Sequence, residues 1–155
     1  MKEIYQDVLP GVLISPLQLI RYIAGIANNG KLMKPFLKKD TAPQVFADLS
    51  EYGNNIKEVQ KGMREAVTSP MGTARLLQDL PIPAAGKTGS AQVANNTQEN
   101  AFFVGYMPYE PTADSPQIAL LILVERSKAG SLNAVPIAKD ALAWYYEHRM
   151  KGVEN

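Results

Sequence analysis

Residues 118–124 read IALLILV, the longest apolar run in the chain. A run of this length is far too short to cross a bilayer, which takes about 20 apolar residues in a helix. Its branched, unbroken character instead predicts, for "QIALLILVE" at 117–125, a central strand covered on both faces. Such a strand requires a layered fold, with neighbours at its edges and helices on its faces. "AFFVGYM" at 101–107, closed by Pro108, predicts one neighbour. The helices are announced by their ends. Ser15, Pro16 and Gln18 form a capping box with proline at the first helical position, and Leu17, Ile20, Ala24 and Ala27 share the face that follows, up to the stop "NNG" at 28–30. Pro35 and Pro43 bar a long helix in the next stretch, which reads as a strand or two plus loop. Asn55 with Glu58 opens a second helix, with Ile56, Val59, Met63, Ala66 and Val67 on its buried side and Ser69-Pro70 at its end. "GTARLLQ" at 72–78 reads as a short helix, and Pro81 and Pro83 break the backbone after it. A last helix opens near Asn133, its expected cap, and buries Ala134, Ile137, Ala138, Ala141, Leu142 and Tyr145. The expected class is α+β, a largely antiparallel sheet backed by helices.

Composition narrows the function. The 155 residues make one domain's worth of chain, with 46% hydrophobic and 20% charged residues. A formal charge of +1 points to neither nucleic acid nor an anionic membrane, and Lys34, Lys38 and Lys39 read as a solvated face. Cysteine is absent, which excludes disulfides, thiolate metal sites and a cysteine nucleophile. The opening "MKEIYQDVLPG" lacks the apolar core of a signal peptide, so a soluble piece without direct membrane insertion is expected. Nothing calls for a metal or cofactor.

The chemistry-bearing stretch is "PAAGKTGSAQV", residues 83–93. Its "GKT" invites comparison with a phosphate-binding loop, which needs G-x-x-x-x-G-K-[ST] so that the first glycine lets the backbone curl around phosphates. Five residues before Gly86 stands Pro81, the residue least able to do so, and "SAQVANN" after it has no helical period. The nucleotide reading fails on both counts, leaving a plain turn or a K-T-G signature at Lys87, Thr88 and Gly89.

The neighbouring text decides between them. "SPLQLIRYIAGIANNGKLMKP", "GMREAVTSPMGTA", "AAGKTGSAQV", "NAFFVGYMP", "IALLILVE" and "AVPIAKDALAWYY" resemble, in order and spacing, the transpeptidase domain of class B penicillin-binding proteins, over about residues 12–147. The resemblance implies a peptidoglycan D,D-transpeptidase that β-lactams inhibit by acylation, anchored in the cytoplasmic membrane and acting on its outer side. It implies K-T-G on an edge strand, with a stem peptide ending in D-Ala-D-Ala lying alongside as an added strand. Lys87 would raise the local positive potential and organise protons near the nucleophile. Thr88 and Ser90 would offer hydroxyls to the substrate carboxylate, Gly89 would allow close backbone approach, and the Ser90 N–H would be an oxyanion donor. Trp144, Tyr145 and Tyr146 read as packing and surface aromatics, and His148 as a surface residue.

The family's nucleophile is the serine of S-x-x-K, followed by S-x-N ahead of K-T-G. Three places after Ser15, Ser50, Ser69, Ser90, Ser115, Ser127 and Ser131 stand Gln18, Gly53, Gly72, Val93, Ile118, Gly130 and Ala134, so no S-x-x-K is present. Ser131-Leu132-Asn133 has the S-x-N form but follows K-T-G, and "YGN" at 52–54 reads as a turn. The expectation is a single partial domain over 1–155, the C-terminal half of a transpeptidase domain, unable alone to turn over substrate and completed by a missing N-terminal half. It would be a fragment, a split gene product or one part of a complex. Two alternatives stay open: a non-catalytic pseudo-transpeptidase scaffold, and a related β-lactamase or β-lactam sensor.

Overall fold

The computed structural model describes residues 14–38, 40–93, 98–112, 117–127 and 133–151. Helix α1 (Pro16–Ala27) starts where the sequence says it should, because Ser15 Oγ accepts from the Gln18 N–H at 3.2 Å while Gln18 Oε1 accepts from the Ser15 N–H at 2.7 Å. It ends at Asn28 as Asn29 and Gly30 turn to positive φ, +50° and +96°, which only residues tolerant of the left-handed region supply cheaply. A two-stranded antiparallel hairpin follows, β1 (Lys31–Met33) with β2 (Val45–Asp48). The "YGN" stretch is no loop signature. A 3₁₀ turn, Ser50–Tyr52, runs straight into α2 (Gly53–Thr68), whose first turn has no side-chain cap, so the expected start at Asn55 comes two residues late. Ser69 ends α2, and the expected short helix is the tighter 3₁₀ form at Arg75–Asp79.

The second sheet carries the fold. Strands β3 (Ala85–Val93), β4 (Gln98–Met107) and β5 (Ile118–Ser127) lie in the order β3-β4-β5, all antiparallel. This corrects the sequence expectation for 117–125. The most hydrophobic strand is the outer one among the described residues, half-buried along most of its length, and the central strand is β4. Near its end β5 carries a bulge, with Arg126 at φ +54°, and the buried Asn100 side chain accepts the Arg126 N–H at 3.0 Å.

Cross-strand partners sort the sheet into two faces. Ala101, Phe103 and Met107 of β4 join Val67, Leu77, Ala134, Ala138 and Leu142 in one core, against which Ile118, Leu120, Ile122 and Val124 pack. Val104 and Tyr106 face the other way and join Ile23, Ile26, Met63 and Ala85. Helix α3 (Ala134–Tyr145) closes the first core and passes into a π turn, Tyr146–Met150. Its buried face includes Val135 rather than the expected Ile137, which is 46% exposed. On α1, Leu17 is likewise exposed, and burial centres on Ile23 and Ile26. Val59 of α2 is also exposed, leaving Met63 and Val67 as that helix's buried residues. Asn133 stands at the cap position of α3 but does not cap it. Its amide donates to Ser127 Oγ at 2.7 Å, tying the helix start to the end of β5. Ser131 and Leu132 lie outside the described residues, as does Lys39.

Candidate functional site

Strand β3 begins where two prolines end. Pro81 and Pro83 cannot donate to a ladder and keep the chain extended, so pairing starts only at Ala85. Two side contacts fix that start. Arg64 of α2 donates through Nη1 to Ala84 O at 2.7 Å, and the Tyr109 N–H donates to Pro83 O at 2.7 Å. Gly86 then lies under the Phe103 ring, where a Cβ would come within 2.5 Å of ring carbons. Glycine there is a packing requirement, since the ring must sit flat on the strand for the core beneath it to close.

The K-T-G tetrapeptide is an extended border segment, the form that the family resemblance implies. Lys87, Thr88, Gly89 and Ser90 pair with Val104, Phe103, Phe102 and Ala101, and no strand pairs on the far side of β3 among the described residues. Strand alternation separates the side chains. Thr88 and Ser90 leave on the face of Phe103, and Lys87 on the face of Val104. Lys87 is nevertheless brought to the same border, because its ammonium curls back to donate to the Thr88 carbonyl. Lys87 and Ser90 are exposed, while Thr88 is only 6% exposed. Among the described residues, a Cβ at Gly89 would find nothing nearer than Phe102 Cβ at 3.8 Å, so their packing leaves room there.

Thr88 meets a residue that the sequence places on a short helix. Thr73 Oγ1 lies 2.7 Å from Thr88 Oγ1. Thr73 sits on a turn that is itself fastened to the end of α2, with the Gly72 N–H donating to Ser69 O and the Ala74 N–H to Ala66 O, each at 2.9 Å. A Cβ on Gly72 would stand 2.4 Å from Ala66 O, so this turn closes only around glycine. The words "GMREAVTSPMGTA" and "AAGKTGSAQV" thus meet in space: Arg64 and Thr73 of the first hold the second. The sequence offered their order but no sign of their contact.

Other groups stand apart. The exposed His148 has Nδ1 2.8 Å from Trp144 O and stacks on the Trp144 indole at 4.5 Å between centroids, a surface arrangement as expected. An apolar groove of about 210 Å³ lies between α1, β1 and α2, lined by Tyr22, Ile26, Leu32, Leu49 and Ile56 among others, and none of Lys87 to Ser90 reaches it. Among the described residues, no three His, Asp or Glu side chains converge as a metal site would.

The chain is similar to known proteins along most of its length. The family described as the penicillin binding protein transpeptidase domain matches residues 7–143. The peptidoglycan D,D-transpeptidase MrdA of Haemophilus influenzae is 29% identical over 90% of this chain and 25% of its own length. Penicillin-binding protein 2A of Bacillus subtilis is 30% identical over 71% of this chain and 18% of its own. Among solved structures, a chain of a peptidoglycan synthase complex superimposes with a TM-score of 0.74 at 29% identity, covering 89% of this chain and 24% of that one. The chain therefore spans about a quarter or less of the length of these relatives. With the match reaching across nearly all of its residues, the chain belongs to the penicillin-binding protein transpeptidase domain family.

Proposed function

We propose that this chain supplies the K-T-G wall of a peptidoglycan D,D-transpeptidase site, the attacking serine being carried on polypeptide outside residues 1–155. The observation that carries the reading is the extended border segment at Lys87 to Ser90, with Lys87 and Ser90 exposed. An acyl donor ending in D-Ala-D-Ala would add to the outer side of β3 as a further strand. The Thr88 carbonyl faces that border, since it accepts from Lys87, and by strand alternation the Ser90 N–H faces the same way. That N–H would be one donor to the oxyanion formed when the serine attacks the penultimate D-alanyl carbonyl. The Lys87 ammonium would hold the field and protons around the serine, and Thr88 and Ser90 would meet the terminal carboxylate. A β-lactam would occupy the same place and leave the serine acylated. In this reading the 155 residues are the C-terminal portion of a transpeptidase domain on the outer side of the cytoplasmic membrane. No described helix is long and apolar enough to cross a membrane.

A fluorescent penicillin tests this. The chain alone should retain no label after denaturation. Expressed together with a polypeptide carrying the S-x-x-K half of the domain, it should allow that polypeptide to be labelled, and Lys87→Ala should slow labelling by about 100-fold or more. Label on the chain alone, or labelling indifferent to Lys87, would sink the reading.

A further inference from the structure

We infer that Thr73 is a positioning residue for the K-T-G strand, setting the direction in which the Thr88 hydroxyl gives its proton and so tuning the strand for a carboxylate-bearing ligand. The inference rests on the reading of β3 as the wall of an acyl-donor site, and it assigns a role to a residue outside the K-T-G tetrapeptide.

Its basis is a pair of hydroxyls, one on the buried Thr88 and the other on the exposed Thr73. Thr88 is 6% exposed, and its Oγ1 lies 2.7 Å from Thr73 Oγ1, a distance typical of an O–H···O hydrogen bond. A threonine hydroxyl has one proton to give and two lone pairs to receive with. In the pair, either oxygen can be the donor. A carboxylate removes that freedom, because it only accepts. For Thr88 to donate to a carboxylate, Thr73 must donate to Thr88, giving a chain in which each hydrogen bond strengthens the next. Without ligand, Thr88 can return its proton to Thr73, and the buried hydroxyl is never left unpaired. Thr73 thus serves both states of the strand.

The turn that carries Thr73 is built to hold it still. Ala66 O accepts the Ala74 N–H at 2.9 Å, Ser69 O accepts the Gly72 N–H at 2.9 Å, and the Gly72 Cα packs so closely on Ala66 O that no Cβ fits. The backbone that carries Thr73 is therefore held against α2. Through Arg64 and Ala84 O, the same helix also fixes the start of β3. One rigid element sets both partners of the 2.7 Å contact.

The test compares two probes that differ only at the carboxylate: N-acetyl-D-alanyl-D-alanine and its C-terminal amide. Binding to this chain is followed by NMR through the backbone amide shifts of residues 87 to 90. The wild-type chain should bind the acid more tightly than the amide. Thr73→Val, which keeps the shape and removes the hydroxyl, should weaken acid binding about five- to ten-fold and leave amide binding unchanged. Thr73→Ser, which keeps the hydroxyl, should retain the acid preference, and this arm holds even where the valine variant folds poorly. Full acid preference in a folded Thr73→Val chain, or its loss in Thr73→Ser, would overturn the role of Thr73 while leaving the acyl-donor reading intact. A wild-type chain indifferent to the carboxylate would overturn both.

Discussion

Strands β4 and β5 are neighbours of equal length, ten residues each, yet they live in different environments. β5 contains the chain's longest apolar run, and most of it is only half-buried. β4 is interrupted by Asn100 and Gly105, and nevertheless every residue from Asn100 to Met107 is buried. The difference lies in pairing. β4 has a strand on each side and a core on each face, whereas β5 has a partner on one side only among the described residues. Hydrophobicity tells how much burial a strand can use. Position in the sheet tells how much it receives.

The comparison can be broken most directly at one rung. Phe103 and Ile122 are cross-strand partners on the same face, packed on the same core. Phe103 is fully buried and supports Gly86 beneath its ring, so Phe103→Ala should cost about 3–5 kcal/mol in urea unfolding. Ile122, half-buried, should cost about 1–2 kcal/mol as alanine, the transfer term scaled by the burial it has. Equal losses would mean that β5 is as enclosed as β4 and that its border is covered in solution.

A smaller effect comes from filling space in the central strand. A Cβ at Gly105 would meet the Ala85 carbonyl oxygen at 2.5 Å and the Phe103 ring at 2.6 Å. Since one of these is backbone, relief requires β3 and β4 to part, and Gly105→Ala should cost about 1–3 kcal/mol. The shift should reach β3, moving the amide resonances of residues 85 to 88. A shift confined to residue 105 and its chain neighbours would mean that the two strands are less tightly coupled than the contact implies.

These contacts mark where the sequence stops being legible. The capping box of α1, the stop at Asn28 to Gly30 and the strand around Phe103 all depend on residues close in sequence, and each stands where local chemistry puts it. The order of strands in the sheet depends on which borders are paired, which no run of apolar residues encodes. The same holds for the site. The extended form of Lys87 to Ser90 follows from the family resemblance, whereas the local residues alone are equally compatible with a plain turn. The support of Thr88 by Thr73, fifteen positions away, and of Ala84 by Arg64, twenty away, arises from a turn that folds back on α2. Gly86 and Gly72 were the available signals, glycines in otherwise well-formed segments, and their meaning appears only with the ring and carbonyl they sit against.

The smallest predicted effect separates burial from satisfaction. Tyr106 is 2% exposed on the second face of β4, and its hydroxyl is a buried atom without a hydrogen-bond partner among the described residues. Its cross-strand neighbour on β5 is Ala119, which offers no side-chain acceptor. Desolvation pushes the phenol's pKa well above the ordinary tyrosine value, with the nearby Tyr109 adding to the shift. A folded-state value raised above the unfolded one means that the folded chain holds its proton longer. That contribution is complete below the ordinary tyrosine value of 10.0 and is lost as pH climbs from there toward the folded value. Tyr106→Phe removes both the orphan hydroxyl and this titration. At neutral pH it should leave stability unchanged or raise it by about 1 kcal/mol, because an unpaired buried hydroxyl costs more than it returns. Above pH 10 it should also flatten the fall in stability that the wild type shows. A loss of stability at neutral pH would mean that the hydroxyl has a partner in solution, and that the second face of β4 is less dry than the first.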